Sequence, residues 1–249
     1  HTRQRPVLGW GLGAPPLTGA LEALRAWERR TFLGSLDGVI AYSQRGADEY
    51  RTLGMPADRV FVAYNAAARR PVEAPPERLP GFRERPVVLF VGRLQQRKRI
   101  DLLLGACARL PSQLQPRLVI VGDGPDRAEM ETQARLLYPA AEFPGAKQGA
   151  ELATYFTQAD LFVLQGTGGL AVQQALTYGL PVIVARGDGT QDDLVRPENG
   201  WLIQADDPTA LGLALAEALA DPARLRRMGA HGYRIVRDEV NLERMAAVF

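Results

Sequence analysis

Cysteine is nearly missing from this chain: among 249 residues only Cys107 carries a thiol, so no disulfide can close within it. Set among Leu103, Leu104 and Leu110, that thiol reads as a small apolar core residue, and the shortage fits a reducing compartment. Cytoplasmic placement is the expectation. Histidine is almost as scarce. His1 opens the sequence and His231 falls in a late helical pattern, so neither a Ser-His-Asp triad nor a metal-ligand spacing can be assembled. Long apolar runs are absent too: Val7-Leu8 and Leu161-Phe162-Val163-Leu164 are much shorter than a membrane span or a signal-peptide core. A dominant charge is also lacking, because 30 basic and 28 acidic residues nearly cancel. That balance argues against nucleic acid and for small-molecule partners.

What is present is α/β alternation, with 46% hydrophobic residues, enough for one large domain or two small ones. The opening segment reads as a strand at Pro6-Val7-Leu8, a Gly-rich turn, an amphipathic stretch bearing Leu21, Leu24, Trp27 and Phe32, and a strand at Val39-Ile40-Ala41-Tyr42. A helix from Gly46 to Leu53 closes at Gly54, and Arg59 to Ala63 forms a further strand. Pro71, Pro75, Pro76, Pro80 and Gly81 then break any regular element. The expected organisation is a partial first unit over residues 1–70, a linker over 71–85, a second unit over 86–238, and the start of a terminal helix over 239–249.

Val87 to Val91 is a continuous apolar run, as a strand buried on both faces of a parallel sheet requires. Ile100, Leu103, Leu104 and Cys107 follow at helical spacing, ended by Pro111. The alternation continues with strands at Leu118 to Val121, Glu142-Phe143, Leu161 to Leu164, Pro181 to Val184 and Trp201 to Ile203. Helices are expected at Arg127 to Leu137, Ala150 to Gln158, Leu170 to Tyr178, Asp192 to Arg196, Pro208 to Ala220 and Pro222 to Asp238. Strands alternating with helices imply βαβ units and a doubly wound sheet.

Three loops carry candidate chemistry. Gly92-Arg93-Leu94 leaves the first strand of the second unit and Lys98 follows, placing two cations at the carboxyl edge of the sheet, where such folds bind ligands. A guanidinium and an ammonium there suit a diphosphate; a solvated basic loop with Arg97 and Arg99 is the plain alternative. Gly122-Asp123-Gly124-Pro125 opens a helix and serves either close backbone approach to a ligand or a sharp turn. Gly166-Thr167-Gly168-Gly169-Leu170 joins a strand to a helix whose free amides can receive phosphate or sugar oxygens. Gly9 to Ala14 formally fits a dinucleotide fingerprint, but Ser43 and Gln44 stand where an acidic residue for ribose belongs.

Taken together, these loops resemble the C-terminal domain of family 4 glycosyltransferases of the GT-B fold. The likeness spans roughly Val87 to Ile203 and includes Tyr155, Ala159, Asp160, Phe162 and Val163, then Gln174-Ala175-Leu176, Gly179-Leu180-Pro181-Val182 and Asn199-Gly200. Asp37 to Ser43 and Asn65 are similar to the end of such an enzyme's N-terminal domain. The resemblance implies an α/β chain of two Rossmann-like units with parallel sheets, the first incomplete, and a retaining transferase using a nucleoside-diphosphate sugar. No separate cofactor and no metal are implied. Arg93 and Lys98 would hold the donor diphosphate and neutralise the leaving group. Gly92, Gly122 and Gly124 would line the nucleotide, and the Gly168, Gly169, Leu170 and Ala171 amides would meet the donor sugar or the distal phosphate.

Two departures stand out. Members of the family usually carry glutamates spaced E-x7-E, but here the positions are Gly166 and Gln174, the latter still able to hydrogen-bond ribose. A later acidic position is matched by Asp193, with Thr190 in place of a glycine, and Leu12 stands where related enzymes often carry a histidine. Alternatives are therefore a nucleotide-sugar-binding subunit without turnover and a sugar-nucleotide epimerase of the same fold. The expected partners are a nucleotide sugar and a glycan or lipid-linked acceptor in polysaccharide or glycoconjugate assembly. Peripheral contact with the inner membrane face could come from Arg224 to Arg227, or from Arg25, Trp27, Arg29 and Arg30, against the alternative of solvated helix faces. The chain is expected to be a fragment that binds nucleotide without transferring sugar by itself.

Overall fold

The computed structural model describes residues 5–14, 17–166 and 170–249. His1, Pro15 and Pro16 lie outside them. Two parallel sheets organise the described chain. The first has three strands in sequence order, β1 (Leu8–Gly11), β2 (Gly38–Ala41) and β3 (Val60–Val62), with α1 (Glu22–Gly34) and α2 (Gln44–Thr52) in the connections. β2, fully apolar after its glycine, is the central strand and is buried along its length.

This first unit departs from the sequence expectation in three places. The opening strand runs two residues past Gly9, so Gly9 and Gly11 lie inside β1 and not in a turn beyond it, which removes the dinucleotide fingerprint. α2 begins at Gln44, because the Ser43 hydroxyl accepts from the Gly46 amide and caps the helix. Along α1, Leu33 is the buried residue, while Leu21, Leu24, Trp27 and Phe32 are exposed, Trp27 by 64%. The apolar spacing there marks an outward face.

Between β3 and the second sheet, residues 63–86 form no helix or strand, but they are firmly docked. Arg78 donates to the Phe156, Ala159 and Tyr178 carbonyls at 3.0, 3.0 and 2.6 Å, gathering two helix C-termini. The Tyr233 hydroxyl donates to the Glu73 carbonyl at 2.6 Å.

The second sheet has six parallel strands: β4 (Val87–Val91), β5 (Arg117–Val121), β6 (Glu142–Gly145), β7 (Leu161–Leu164), β8 (Val182–Ala185) and β9 (Gly200–Ile203). Their order is β6-β5-β4-β7-β8-β9, so the chain winds outward from β4 one way and then returns to β4's other side. β7 and β8 are buried at every residue, which requires cover on both faces. That cover comes from α3 (Ile100–Arg109), α4 (Arg127–Leu137), α5 (Gly149–Gln158), α6 (Leu170–Thr177), α7 (Thr190–Leu194), α8 (Pro208–Ala220) and α9 (Pro222–Asp238). α3 packs against α4 and α8, and α6 against α9. α8 and α9 start at Pro208 and Pro222 as expected: Asp207 and Asp221 accept from first-turn amides, with proline just inside. α7 starts two residues before the expected Asp192. Cys107 is fully buried, and burial pushes its thiol up to about 12. A short α10 (Leu242–Ala246) returns to the end of the first unit, where Leu242 donates to the Ala68 carbonyl at 3.0 Å. No described helix is long and apolar enough to cross a membrane.

Two motif residues turn out to hold this frame together. Asp160 accepts from the Val87 amide at 2.9 Å and from Arg226 at 2.6 Å, tying the amino ends of β4 and β7 to α9. Asn199 is fully buried, accepting from the Arg196 amide and donating to the Leu194 carbonyl. Within the basic run on α9, Arg226 therefore points inward and Arg224 pairs with Glu217, while Arg227 is exposed.

Candidate functional site

β4 and β7 are neighbours, and the connections from them run to opposite sides of the sheet. The carboxyl ends of such a pair leave a crevice, the usual ligand position in a doubly wound sheet. Three loops close around it.

The loop after β5 crosses directly over the loop after β4. Gly92 donates to the Val121 carbonyl at 3.0 Å and Leu94 to the Asp123 carbonyl at 2.9 Å. A Cβ on Gly122 would stand 1.9 Å from the Gly92 carbonyl oxygen, and one on Gly124 would stand 2.1 Å from that of Leu94. Gly122 also has φ +153. These glycines are thus required by backbone contact alone, before any ligand is considered.

The loop after β7 is joined to the same segment. Gln165, 2% exposed, donates to the Lys98 and Arg99 carbonyls at 2.8 and 2.9 Å. A Cβ on Gly166 would lie 2.3 Å from the Arg97 carbonyl oxygen and 2.4 Å from the Lys98 Cα. No side chain fits there without moving the lysine's own backbone. Gly166→Ala should accordingly cost about 1–3 kcal/mol of stability, the usual scale for overpacking. A urea denaturation midpoint equal to that of the parent chain would contradict the close approach.

Lys98 is only 8% exposed, and its ammonium is held below the ordinary lysine range, first by desolvation and then by the Arg97 charge. Arg93 is exposed. Beside Gly166 opens a cavity of about 530 Å³ that also touches Gln96, Arg97, Arg99, Gln165 and Asp206. Arg99 and Asp206 both have left-handed backbone, φ 53 and 59, and their side chains form an ion pair.

Of the residues singled out from sequence, the structure brings Gly92, Gly122 and Gly124 together, and Lys98 against the loop after β7. Gly168 and Gly169 lie outside the described residues. Leu170 opens α6 and is exposed, Ala171 and Gln174 are half-buried, and the Gln174 side chain makes no hydrogen bond among the described residues. The cavity does not include Arg93, Lys98 or Gln174. Asp193 reaches the first unit, accepting from the Gln44 amide at 3.0 Å, and burial pushes its carboxyl up. Arg45 donates to the Gly187 carbonyl across the same junction at 3.3 Å. Gln165 and Gln173 carry no motif; their only signal in the sequence is an amide side chain set directly after a short apolar run. Among the described residues no three His, Cys, Asp or Glu side chains are placed to hold a metal ion.

The chain is similar to the GDP-mannose-dependent alpha-mannosyltransferase of Mycobacterium tuberculosis, 41% identical over 122 residues, covering 48% of this chain and 30% of the relative. It is 36% identical over 156 residues to the protein of that description in Corynebacterium glutamicum, covering 61% of this chain and 36% of the relative. The chain thus spans about a third of the length of these curated relatives. In structure it resembles Anabaena HepE crystallised with UDP, with a TM-score of 0.77 at 19% identity over 98% of this chain and 71% of the other. That likeness, with the two parallel sheets, shows the GT-B fold. Residues 75–235, more than half of the chain, match the model described as "Glycosyl transferases group 1", and the chain belongs to that family.

Proposed function

We propose that this chain binds a nucleoside-diphosphate sugar between β4 and β7 and serves a retaining transferase that passes the sugar to a glycan or lipid-linked acceptor. The observation that carries this reading is the burial of Lys98 at the switch point of a sheet whose loops are fixed around it by glycine contacts. A cation held in a partly desolvated crevice is stabilised by an anion, and a diphosphate supplies one. The names of the two mannosyltransferases favour a guanosine diphosphate donor.

In this reading residues 71–85 link an acceptor-side unit, 1–70, to the donor-side unit, 86–238. Lys98 and the exposed Arg93 meet the diphosphate, and their charge stabilises it as the bond to the sugar breaks and the diphosphate leaves with the electron pair. The amides of residues 168–171, at the start of α6, take the sugar or the distal phosphate. Gln174 faces ribose. No metal takes part.

A second reading has one observation in its favour. Gly166 leaves no room for the carboxylate that the family pattern places there, and Gln174 is neutral, which favours a nucleotide-sugar-binding subunit without turnover. Product analysis with a panel of nucleotide sugars and glycan acceptors separates the two. A new glycoside with free nucleoside diphosphate supports transfer, binding alone supports the second reading, and an epimerised donor would sink both.

Gln174→Ala should weaken nucleoside-diphosphate binding by about 1–3 kcal/mol, the scale for an unsatisfied polar partner. Gln174→Glu should be tolerated, since a carboxylate also accepts from ribose hydroxyls. Calorimetric titration of both variants checks this; complete loss of binding in Gln174→Glu would remove Gln174 from the ribose position.

A further inference from the structure

Next to the proposed ribose residue stands a side chain with a different task. Gln173 is 1% exposed, and its carboxamide is spent across the junction between the two sheets. Its Oε1 accepts from the Ala67 and Ala68 amides at 2.7 and 3.2 Å, and its Nε2 donates to the Asn65 carbonyl at 2.5 Å. Only a carboxamide of this length can accept twice and donate once. A carboxylate would leave the Asn65 carbonyl unmet, and an apolar side chain would strand three backbone groups.

The clamped segment is held from another side as well. The Ala68 carbonyl accepts from Leu242, the Arg70 amide donates to Glu243 at 2.8 Å, and the Ala66 amide donates to the Met245 sulfur at 3.4 Å. Residues 65–70 therefore lie fixed between α6 and α10. α6 is a short, continuously hydrogen-bonded helix of 8 residues, so a shift at one end moves the other. Gln173 sits mid-helix, adjoining Gln174 and one turn from Leu170.

We propose that Gln173 is a positioning residue for the donor site: it locks α6 to the segment leaving the first sheet, so that nucleotide bound at α6 tightens the junction and the junction in turn sets the aim of α6. This rests on the reading that a nucleoside diphosphate binds at the amino end of α6. Because coupling between two sites is reciprocal, the effect is measurable from either side.

The experiment is amide hydrogen exchange on the whole chain with and without saturating GDP or UDP, whichever titrates. In the unaltered chain nucleotide should slow exchange at Ala67 and Ala68. In Gln173→Leu those amides should exchange faster and ignore nucleotide, and nucleotide affinity should fall by about fivefold or more. Gln173→Glu keeps both accepted bonds but loses the donated one and sets a carboxylate oxygen against the Asn65 carbonyl, so it should recover only part of the response. A residue with a merely structural role would lower the unfolding midpoint of Gln173→Leu and leave its affinity intact, and that result overturns the proposal. So does nucleotide binding that leaves exchange at Ala67 and Ala68 unchanged in the parent chain. If Gln173→Leu fails to fold, the parent chain and Gln173→Glu decide the matter. Failure of both nucleotides to bind the parent chain would remove the donor-site reading and this inference together.

Discussion

Lys98→Ala should weaken binding of a nucleoside diphosphate by about 2–5 kcal/mol, the loss that follows when one member of a desolvated charge pair is removed. The size follows from burial. Lys98 is 8% exposed, and desolvation and the Arg97 charge already hold its ammonium below the ordinary lysine range, so an arriving anion meets a cation that water screens only in part. Arg93→Ala should cost less, about 1 kcal/mol, because that guanidinium is exposed and its interactions are screened. A pH dependence follows with a definite sign. Binding needs the charged ammonium, whose depressed pKa makes it deprotonate earlier than an ordinary lysine, so affinity should fall as the solution turns alkaline. Calorimetry across that range checks it. Equal, small losses in both variants would return Lys98 to the role of a solvated loop residue.

Asp160→Ala should remove about 3–5 kcal/mol of folding stability, the typical cost of leaving a buried charge without its partner. The Asp160 and Arg226 side chains are 12% and 17% exposed, and the carboxylate also accepts from the amide that opens β4. Without it, Arg226 keeps, among the described residues, its hydrogen bonds to the Leu79 and Gly81 carbonyls and its place over the Phe82 ring, with its Nη1 atom buried and already unmet. Nearby Arg78 aggravates this: burial and the Arg226 charge push its guanidinium down to about 10, and Asp160 is the charge opposing that shift. Asp160→Asn keeps an acceptor for Val87 and should lose less. Urea unfolding of the two variants measures the difference, and a loss below about 1 kcal/mol for Asp160→Ala would show that the pair is worth no more than a surface one.

The second sheet was legible because its strands are buried on both faces, so Val87 to Val91 and Leu161 to Leu164 announce themselves as unbroken apolar runs. The starts of α8 and α9 fall at Pro208 and Pro222 as expected, for an equally local reason, since proline suits the first helical position. The first unit was harder. Trp10 and Gly11 lie on a half-exposed strand where glycine and aromatic residues carry no period, and the stripe of α1 reads as core although its residues face outward. In the site, the glycine spacing was visible, but its cause was not: Gly122, Gly124 and Gly166 are demanded by backbone from residues far away in sequence. Gln165 and Gln173 act through backbone groups 66 to 108 positions distant, which no local pattern encodes.

We propose that the crevice between β4 and β7 holds a diphosphate on Lys98. The most direct test is a paired calorimetric titration of the whole chain and of Lys98→Ala with GDP, UDP and the matching monophosphates. At least one diphosphate should bind the parent chain at a single site and more tightly than its monophosphate, and that preference should vanish in Lys98→Ala. A diphosphate that binds both proteins with the same preference, or binds neither, would contradict the account.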